Sequence, residues 1–89
     1  MIKRELAIVN KLGLHARAAA KFVTLASSFE SDIQLSRNDR QVNGKSIMGI
    51  MMLAASKGTT LALTVCGKDE QEAAEQLVRL VADGFGEQE

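Results

Sequence analysis

The chain has 89 residues, a length that fits one small domain with a single core. Its 11 basic and 11 acidic side chains cancel, so no net charge draws it to nucleic acid or to a membrane surface. Three phenylalanines, without tryptophan or tyrosine, offer few platforms for stacking bases, and no apolar run approaches the ~20 residues that span a bilayer. One cysteine excludes an internal disulfide, and the first five residues lack the features of a secretory signal, so we expect a cytoplasmic protein.

The first part of the chain predicts a strand followed by a helix. Residues 2–9 alternate in polarity as in a half-buried strand, with Ile2, Leu6 and Ile8 on one face. Residues 16–27 contain no glycine or proline and are rich in alanine, the best helix former. Four apolar side chains recur there at helical spacing and form a predicted core stripe: Ala19, Phe22, Val23 and Ala26.

A second, shorter helix is predicted over residues 47–55, after a hairpin of two strands over 32–37 and 40–43. Ser46 is a natural N-cap, and Gly58 stands in the C-terminal position that glycine prefers. Nearly every residue of this helix is apolar, so it cannot bury all of them. The spacing directs one set inward: Ile50, Leu53 and Ala54.

Three other apolar residues of that helix are predicted to lie together towards solvent: Ile47, Met48 and Met51. Methionine is flexible and suits a surface that must fit more than one partner, and an exposed apolar patch usually marks an interaction site. The alternative interpretation is that these methionines fill gaps in the core.

The last part of the chain predicts a strand over 60–66 and a final helix. We interpret Cys66, in the strand, as packing filler. Asp69 and Glu72 are spaced like a capping box at the start of the helix. The helix is predicted to end at Gly84, leaving residues 85–89 as a tail. Its predicted core face is formed by Ala73, Leu77, Leu80 and Val81.

The resulting order, β-α-β-β-α-β-α, predicts a single α+β domain over residues 1–89, built as a two-layer sandwich of one sheet and its helices. One histidine and one cysteine cannot make a zinc site, so we expect no metal. The triplet at residues 44–46 ends like a P-loop but lacks the glycine five residues earlier. We therefore expect no nucleotide site and no cofactor.

The only histidine, His15, lies where a loop containing Gly13 becomes the first helix. The first N–H groups of a helix have no intrahelical partner, and the helix dipole there favours negative charge and disfavours a protonated imidazole. A neutral imidazole can accept a phosphoryl group, which the N–H groups of Ala16 and Arg17 and the Arg17 guanidinium would stabilise. No neighbour in sequence is an obvious general base. From the residues alone, a histidine that only caps the helix is the simpler interpretation.

The order of residues around this histidine is more specific. Gly13-Leu14-His15-Ala16-Arg17, followed by an alanine-rich helix, closely resembles the active-site segment of the HPr family, the histidine phosphocarriers of the bacterial phosphotransferase system. Residues 43–55 resemble the family's regulatory-serine segment at the expected distance, so the resemblance covers nearly the whole chain. The family usually has proline after the arginine, where this chain has Ala18. That change loosens the helix entry without removing a chemical group.

The resemblance implies an antiparallel sheet in strand order 1-4-2-3 with three helices on one face. It implies that enzyme I, phosphorylated from phosphoenolpyruvate, passes its phosphoryl group to the Nδ1 atom of His15. The group then moves to a histidine of an EIIA-type protein, for sugar uptake or regulation. The chain would be a carrier without turnover of its own, and a monomer. Our candidates for the shared docking patch are Ala16, Ala20, Ile47, Met48 and Met51.

The resemblance also makes Ser46 the target of an HPr kinase/phosphorylase. A phosphate beside an apolar docking surface would weaken enzyme I docking without unfolding the domain. The alternative is an unmodified N-cap serine. Three other functions remain open: a carrier of the nitrogen-related regulatory branch, a non-catalytic adaptor that uses the Met48 and Met51 patch, and a small RNA-binding module. The neutral charge and few aromatic residues argue against the last.

Overall fold

The computed structural model describes residues 1–87 and confirms the predicted α+β sandwich. Its elements are β1 (Ile2–Ala7), α1 (Ala16–Ser27), β2 (Asp32–Arg37), β3 (Arg40–Asn43), α2 (Ile47–Met51), β4 (Thr60–Cys66) and α3 (Glu70–Ala82), followed by a 3₁₀ turn at Gly84–Gly86. The strands form one antiparallel sheet in the order β1-β4-β2-β3, as the family resemblance implies. The three helices cover one face of the sheet.

The pairing of β1 with β4 determines where the loop before α1 leaves the sheet. Ile2 lies opposite Val65, and Ala7 lies opposite Thr60, so the end of β1 is next to the start of β4. Beyond the last paired residue of β1, the N–H of Ile8 donates to the carbonyl of Thr59 at 2.9 Å. The loop that carries His15 is therefore attached firmly to the sheet at the end where β4 begins.

The core lies between the sheet and the helices, and most predicted inward positions are buried. Ile2, Val23 and Leu80 are half-buried beside the core, and Ala54 is exposed. Ala18, at the position where the family usually has proline, is completely buried, which the helical spacing did not predict. The largest fully buried side chains include Phe22, Phe85, Ile8, Ile33, Leu35, Ile50, Leu61, Leu63 and Leu77.

The second helix is shorter than predicted. It ends at Met51, and the prediction of a helix through residue 55 is wrong because Ala54 adopts a left-handed conformation (φ 49°). The Arg37 guanidinium, from β2, donates to the carbonyls of Leu53 and Ala54 at 2.8 and 2.9 Å and satisfies them outside a helix. Ala54 is therefore exposed, contrary to prediction, and Ala55 is buried instead.

The glycine expected to close this helix has a different place. Gly58, with φ of +94°, lies in a turn directly before β4 and not at a helix end. The Ser46 prediction is confirmed, since its Oγ accepts from the N–H of Gly49 at 3.0 Å.

The start of α3 differs from the predicted capping box. Asp69 makes no capping bond to its own helix and accepts instead from the N–H groups of Glu30 and Ser31, at 2.9 and 3.0 Å. Long-range bonds to the segment before β2 thus replace the local cap. Cys66 is exposed, so its interpretation as packing filler is wrong.

The predicted tail after α3 is ordered structure as far as residue 87. Phe85 is 1% exposed and lies within the core, although the prediction placed it in a tail. Residues 88 and 89, the rest of that predicted tail, lie outside the described residues. Among the helices of residues 1–87, none combines the length and apolar character needed to cross a bilayer.

Candidate functional site

The loop before α1 is shaped by close contact with the segment after α2. Gly13 is left-handed (φ +67°), and a Cβ there would lie 2.5 Å from the carbonyl oxygen of Ala55. The next residue, Leu14, donates its N–H to that same oxygen at 2.9 Å. Only glycine permits this approach, which holds the loop and the start of α1 in place.

His15 is the N-cap residue of α1, as predicted. Its backbone is extended (φ −73°, ψ 175°), and its carbonyl accepts the first helical bond, from Ala19 at 2.9 Å. Its side chain makes no capping bond to the first turn. The N–H groups of Ala16 and Arg17 therefore remain without an intrahelical acceptor beside a side chain that is 27% exposed.

The His15 ring lines a surface cavity of about 650 Å³. The other lining residues are Lys11, Leu12, Arg17, Lys21, Gly86 and Glu87. Arg17 is exposed, and its side chain makes no hydrogen bond or ion pair to any residue in the described range. Three cationic side chains against one carboxylate, together with a helix N-terminus, make this cavity suitable for an anion such as a phosphoryl group.

Two residues of the site were not found by sequence reasoning: Asn10 and Glu87. The Glu87 carboxylate binds His15 through one oxygen, at the Nε2 atom. Its other oxygen accepts from the Asn10 amide at 2.9 Å, and Asn10 also donates to the carbonyl of Gly13 at 2.8 Å. Glu87 is 72 positions from His15, and nothing in a single sequence indicates that pairing.

The hydrogen bonds of Glu87 lower the pKa of its carboxyl group below its ordinary value. The bond from Asn10 is the main cause, partial burial opposes it, and the contact with His15 adds to the lowering. The Lys21 ammonium contributes through its charge, while its Nζ donates to the carbonyl of Phe85 at 2.7 Å. Glu87 is thus an ionised carboxylate at neutral pH, positioned against the imidazole.

The predicted docking residues lie on the surface of α1 and α2, which pack against each other. Met48 is 74% exposed, Ile47 and Met51 are about 40% exposed, and Ala16 is also exposed. Ala20 is half-buried. The interpretation of the methionines as core filler is therefore wrong for Met48 and Met51. Within residues 1–87, four further large apolar side chains are exposed that the prediction did not include: Met1, Val9, Leu12 and Met52.

Ser46 lies at the edge of this apolar surface and is half-buried. Its hydroxyl is already engaged in capping α2. For the part of the chain between residues 1 and 87, no three histidine, cysteine or acidic side chains are grouped so that they could hold a metal ion.

Comparison with known proteins identifies the family. A family model described as the PTS HPr component phosphorylation site matches residues 2–83. The chain is 56% identical to the phosphocarrier protein HPr of Cupriavidus necator over 89 residues, which is the full length of both.

Two solved structures are also similar. A crystal structure of HPr from Thermoanaerobacter tengcongensis superposes with a TM-score of 0.96 at 47% identity, covering 100% of both chains. An HPr dimer from the same organism gives a TM-score of 0.79 at 48% identity, covering 98% of this chain and 100% of that one. With its fold, its N-cap histidine and its full-length similarity in agreement, the chain belongs to the HPr family of phosphocarrier proteins of the phosphotransferase system.

Proposed function

We propose that His15 accepts a phosphoryl group from phosphorylated enzyme I and passes it to an EIIA-type protein. The position of the imidazole supports this most directly, because it lies at the surface next to the unpaired N–H groups of Ala16 and Arg17. Such a transfer depends mainly on positioning and on stabilisation of charge. The Arg17 guanidinium lines the same cavity and stabilises the bound phosphoryl group.

Labelling with phosphoenolpyruvate tests this function. We expect the wild-type chain, incubated with purified enzyme I and ³²P-labelled phosphoenolpyruvate, to take up an acid-labile phosphate. His15→Ala takes up none, and Arg17→Ala takes it up at least about tenfold more slowly because a charge-assisted contact is lost. A wild-type chain that binds enzyme I without being labelled would make it an adaptor. The EIIA protein that then receives the label distinguishes a sugar-uptake role from a nitrogen-branch role.

The surface formed by Ala16, Ala20, Ile47, Met48 and Met51 docks enzyme I and EIIA in turn. Its exposed apolar side chains lie on the two helices next to His15, and their flexibility suits two different partners. The carrier acts as a monomer, and light scattering that found a stable dimer at micromolar concentration would contradict this.

Ser46 is the regulatory site, phosphorylated by an HPr kinase/phosphorylase. A phosphate there stands at the start of α2, beside the apolar docking surface, where removing its hydration on docking is costly. The test is whether the kinase labels the wild type but not Ser46→Ala. Equal labelling of both would show that the phosphate is elsewhere.

A further inference from the structure

The segment after α3 is held in one conformation by contacts that do not involve His15. Phe85 is buried in the core, and its carbonyl accepts from Lys21 at 2.7 Å. Three consecutive residues adopt the left-handed conformation, with φ of 63°, 59° and 72° at Gly84, Phe85 and Gly86. A phenylalanine rarely takes this conformation, so the surrounding packing maintains it. The segment thus delivers Glu87 to a defined place.

Both oxygens of the Glu87 carboxylate are occupied by donors in the loop before α1. One accepts from the Asn10 amide at 2.9 Å, and the other binds Nε2 of His15. Asn10 is 1% exposed, and both hydrogens of its amide are used, on Glu87 and on the carbonyl of Gly13. An ionised carboxylate can only accept hydrogen bonds, so Nε2 carries a proton, and the neutral form of the ring then has its lone pair on Nδ1.

We infer that Glu87 is a positioning residue for phosphoryl transfer: its carboxylate holds the Nε2–H of His15 and so presents Nδ1 as the accepting nitrogen. The inference rests on the proposed function of His15. It adds a residue that acts through the histidine, together with Asn10, which orients the carboxylate.

The electron count of the transfer explains what this contact does. The lone pair of Nδ1 forms a bond to phosphorus while the bond between phosphorus and the donor breaks, and the donor atom keeps that electron pair. The ring then carries a proton on Nε2, a phosphoryl group on Nδ1 and a positive charge, which the Glu87 carboxylate faces. When the phosphoryl group moves on, the electron pair of the N–P bond returns to Nδ1. The Nε2 proton need not move in either direction.

A carboxylate against the far nitrogen of an imidazole is a general way to orient the ring, select its tautomer and stabilise the positive charge that develops on it. Here the contact has a further consequence, because it blocks Nε2 as an acceptor. Only one ring nitrogen is then open to a phosphoryl donor, and it is the nitrogen that the carboxylate does not touch.

The test compares Glu87→Gln with the wild type and with Glu5→Gln, a matched control on β1 whose side chain is exposed. Glutamine replaces one of the two carboxylate oxygens with an NH2 group, so either Asn10 or His15 would face a donor where it now meets an acceptor. We expect Glu87→Gln to slow phosphoryl transfer from enzyme I about tenfold. The control should remain at the wild-type rate, and the thermal midpoints of all three should agree.

A second measurement does not depend on enzyme I. The ¹⁵N shifts of the ring should show Nε2 protonated in the wild type and a larger Nδ1–H population in Glu87→Ala. Phosphoramidate, a small chemical donor, should phosphorylate the wild type on Nδ1 alone and Glu87→Ala on both nitrogens.

The outcomes separate the two proposals. If Glu87→Gln transfers within twofold of the wild type, or if the ring shifts and the phosphorylated nitrogen are the same in Glu87→Ala, the role of Glu87 is wrong. If the wild type takes no phosphate from enzyme I while the ring measurements come out as expected, the proposed function fails and the contact with Glu87 stands.

Discussion

The start of α1 and the start of α2 both bear on the proposed function, but they are built differently. His15 is surrounded by contacts from distant parts of the chain: Glu87 is 72 positions away, and the loop packs on the carbonyl of Ala55. Ser46 depends on a local bond to Gly49 and begins a helix of only five residues. Met48, on that helix, leaves three quarters of its side chain in solvent.

The difference corresponds to what each region must do. A phosphoryl group is exchanged between particular atoms, and an error of about 1 Å costs much of the rate, so the imidazole needs a rigid support. A surface that fits two partners in turn gains from flexible side chains that few contacts restrain. Long-range contacts therefore surround the proposed reacting group, while local ones suffice at the proposed docking helix.

Gly13→Ala should have the largest effect, because it disturbs the loop that carries His15. The new Cβ meets the carbonyl of Ala55 at 2.5 Å and forces a left-handed alanine, so we expect a loss of about 2–5 kcal/mol in the free energy of unfolding. Gly58→Ala is the control, because it is also left-handed (φ +94°) but nothing lies within 4 Å of its Cβ, and it should lose only about 1–2 kcal/mol. Urea denaturation measures both. Equal losses would show that the contact with Ala55 contributes nothing.

Met48→Lys should alter the exposed surface of α2 without affecting the fold. The side chain is exposed, so stability should change by less than about 0.5 kcal/mol. Transfer from enzyme I should slow about tenfold, because a charge in the centre of an apolar interface must be desolvated. Ala62→Lys places the same charge on an exposed position of the sheet and should transfer normally. Equal slowing in both variants would rule out a localised docking surface.

Two substitutions of Ser46 should change the stability of the fold and the rate of transfer from enzyme I independently of each other. Ser46→Ala loses the bond to Gly49, so we expect about 1 kcal/mol less stability with transfer from enzyme I unchanged. Ser46→Asp keeps an N-cap acceptor and should retain the stability, while its charge slows the transfer. Denaturation curves and labelling rates on both variants check this. A large stability loss in Ser46→Asp would show that a negative charge there disrupts the helix itself.

A substitution of Asp69, at the start of α3, tests whether long-range hydrogen bonds stabilise the fold there as well. We expect its effect to be the smallest of these predictions. Hydrogen bonds from Ser31 and Glu30 lower the pKa of the Asp69 carboxyl below its ordinary 3.8. A lowered folded-state pKa gives stability that is present above the unfolded-state value and is lost as the pH falls through the folded-state value. Between pH 6 and 2, the denaturation midpoint of Asp69→Asn should therefore fall less steeply than that of the wild type. Parallel curves would contradict this.

Local rules account for what the sequence predicted correctly. The bounds of α1, the two hairpin strands and the Ser46 cap depend on neighbouring residues, and all of them are confirmed. The end of α2 was missed because no stop signal follows Met51, and the side chain that satisfies the freed carbonyls, Arg37, comes from another strand.

The candidate site divides in the same way. His15 was predicted at a helix start because a glycine and an alanine-rich run flank it. Asn10 and Glu87 were missed because their role exists only once the chain has folded back on itself. Phe85 was placed in a tail because a single aromatic residue between two glycines, Gly84 and Gly86, has no periodic pattern.

The exposed thiol of Cys66 offers a practical consequence. It is the only sulfhydryl in the chain, and it stands at the last residue of β4, whereas the loop with His15 leaves the sheet beside the first. Seven residues of strand separate those ends by about 20 Å. A single fluorophore attached there, without any engineering of the chain, would report partner arrival and departure in real time from outside the proposed docking surface.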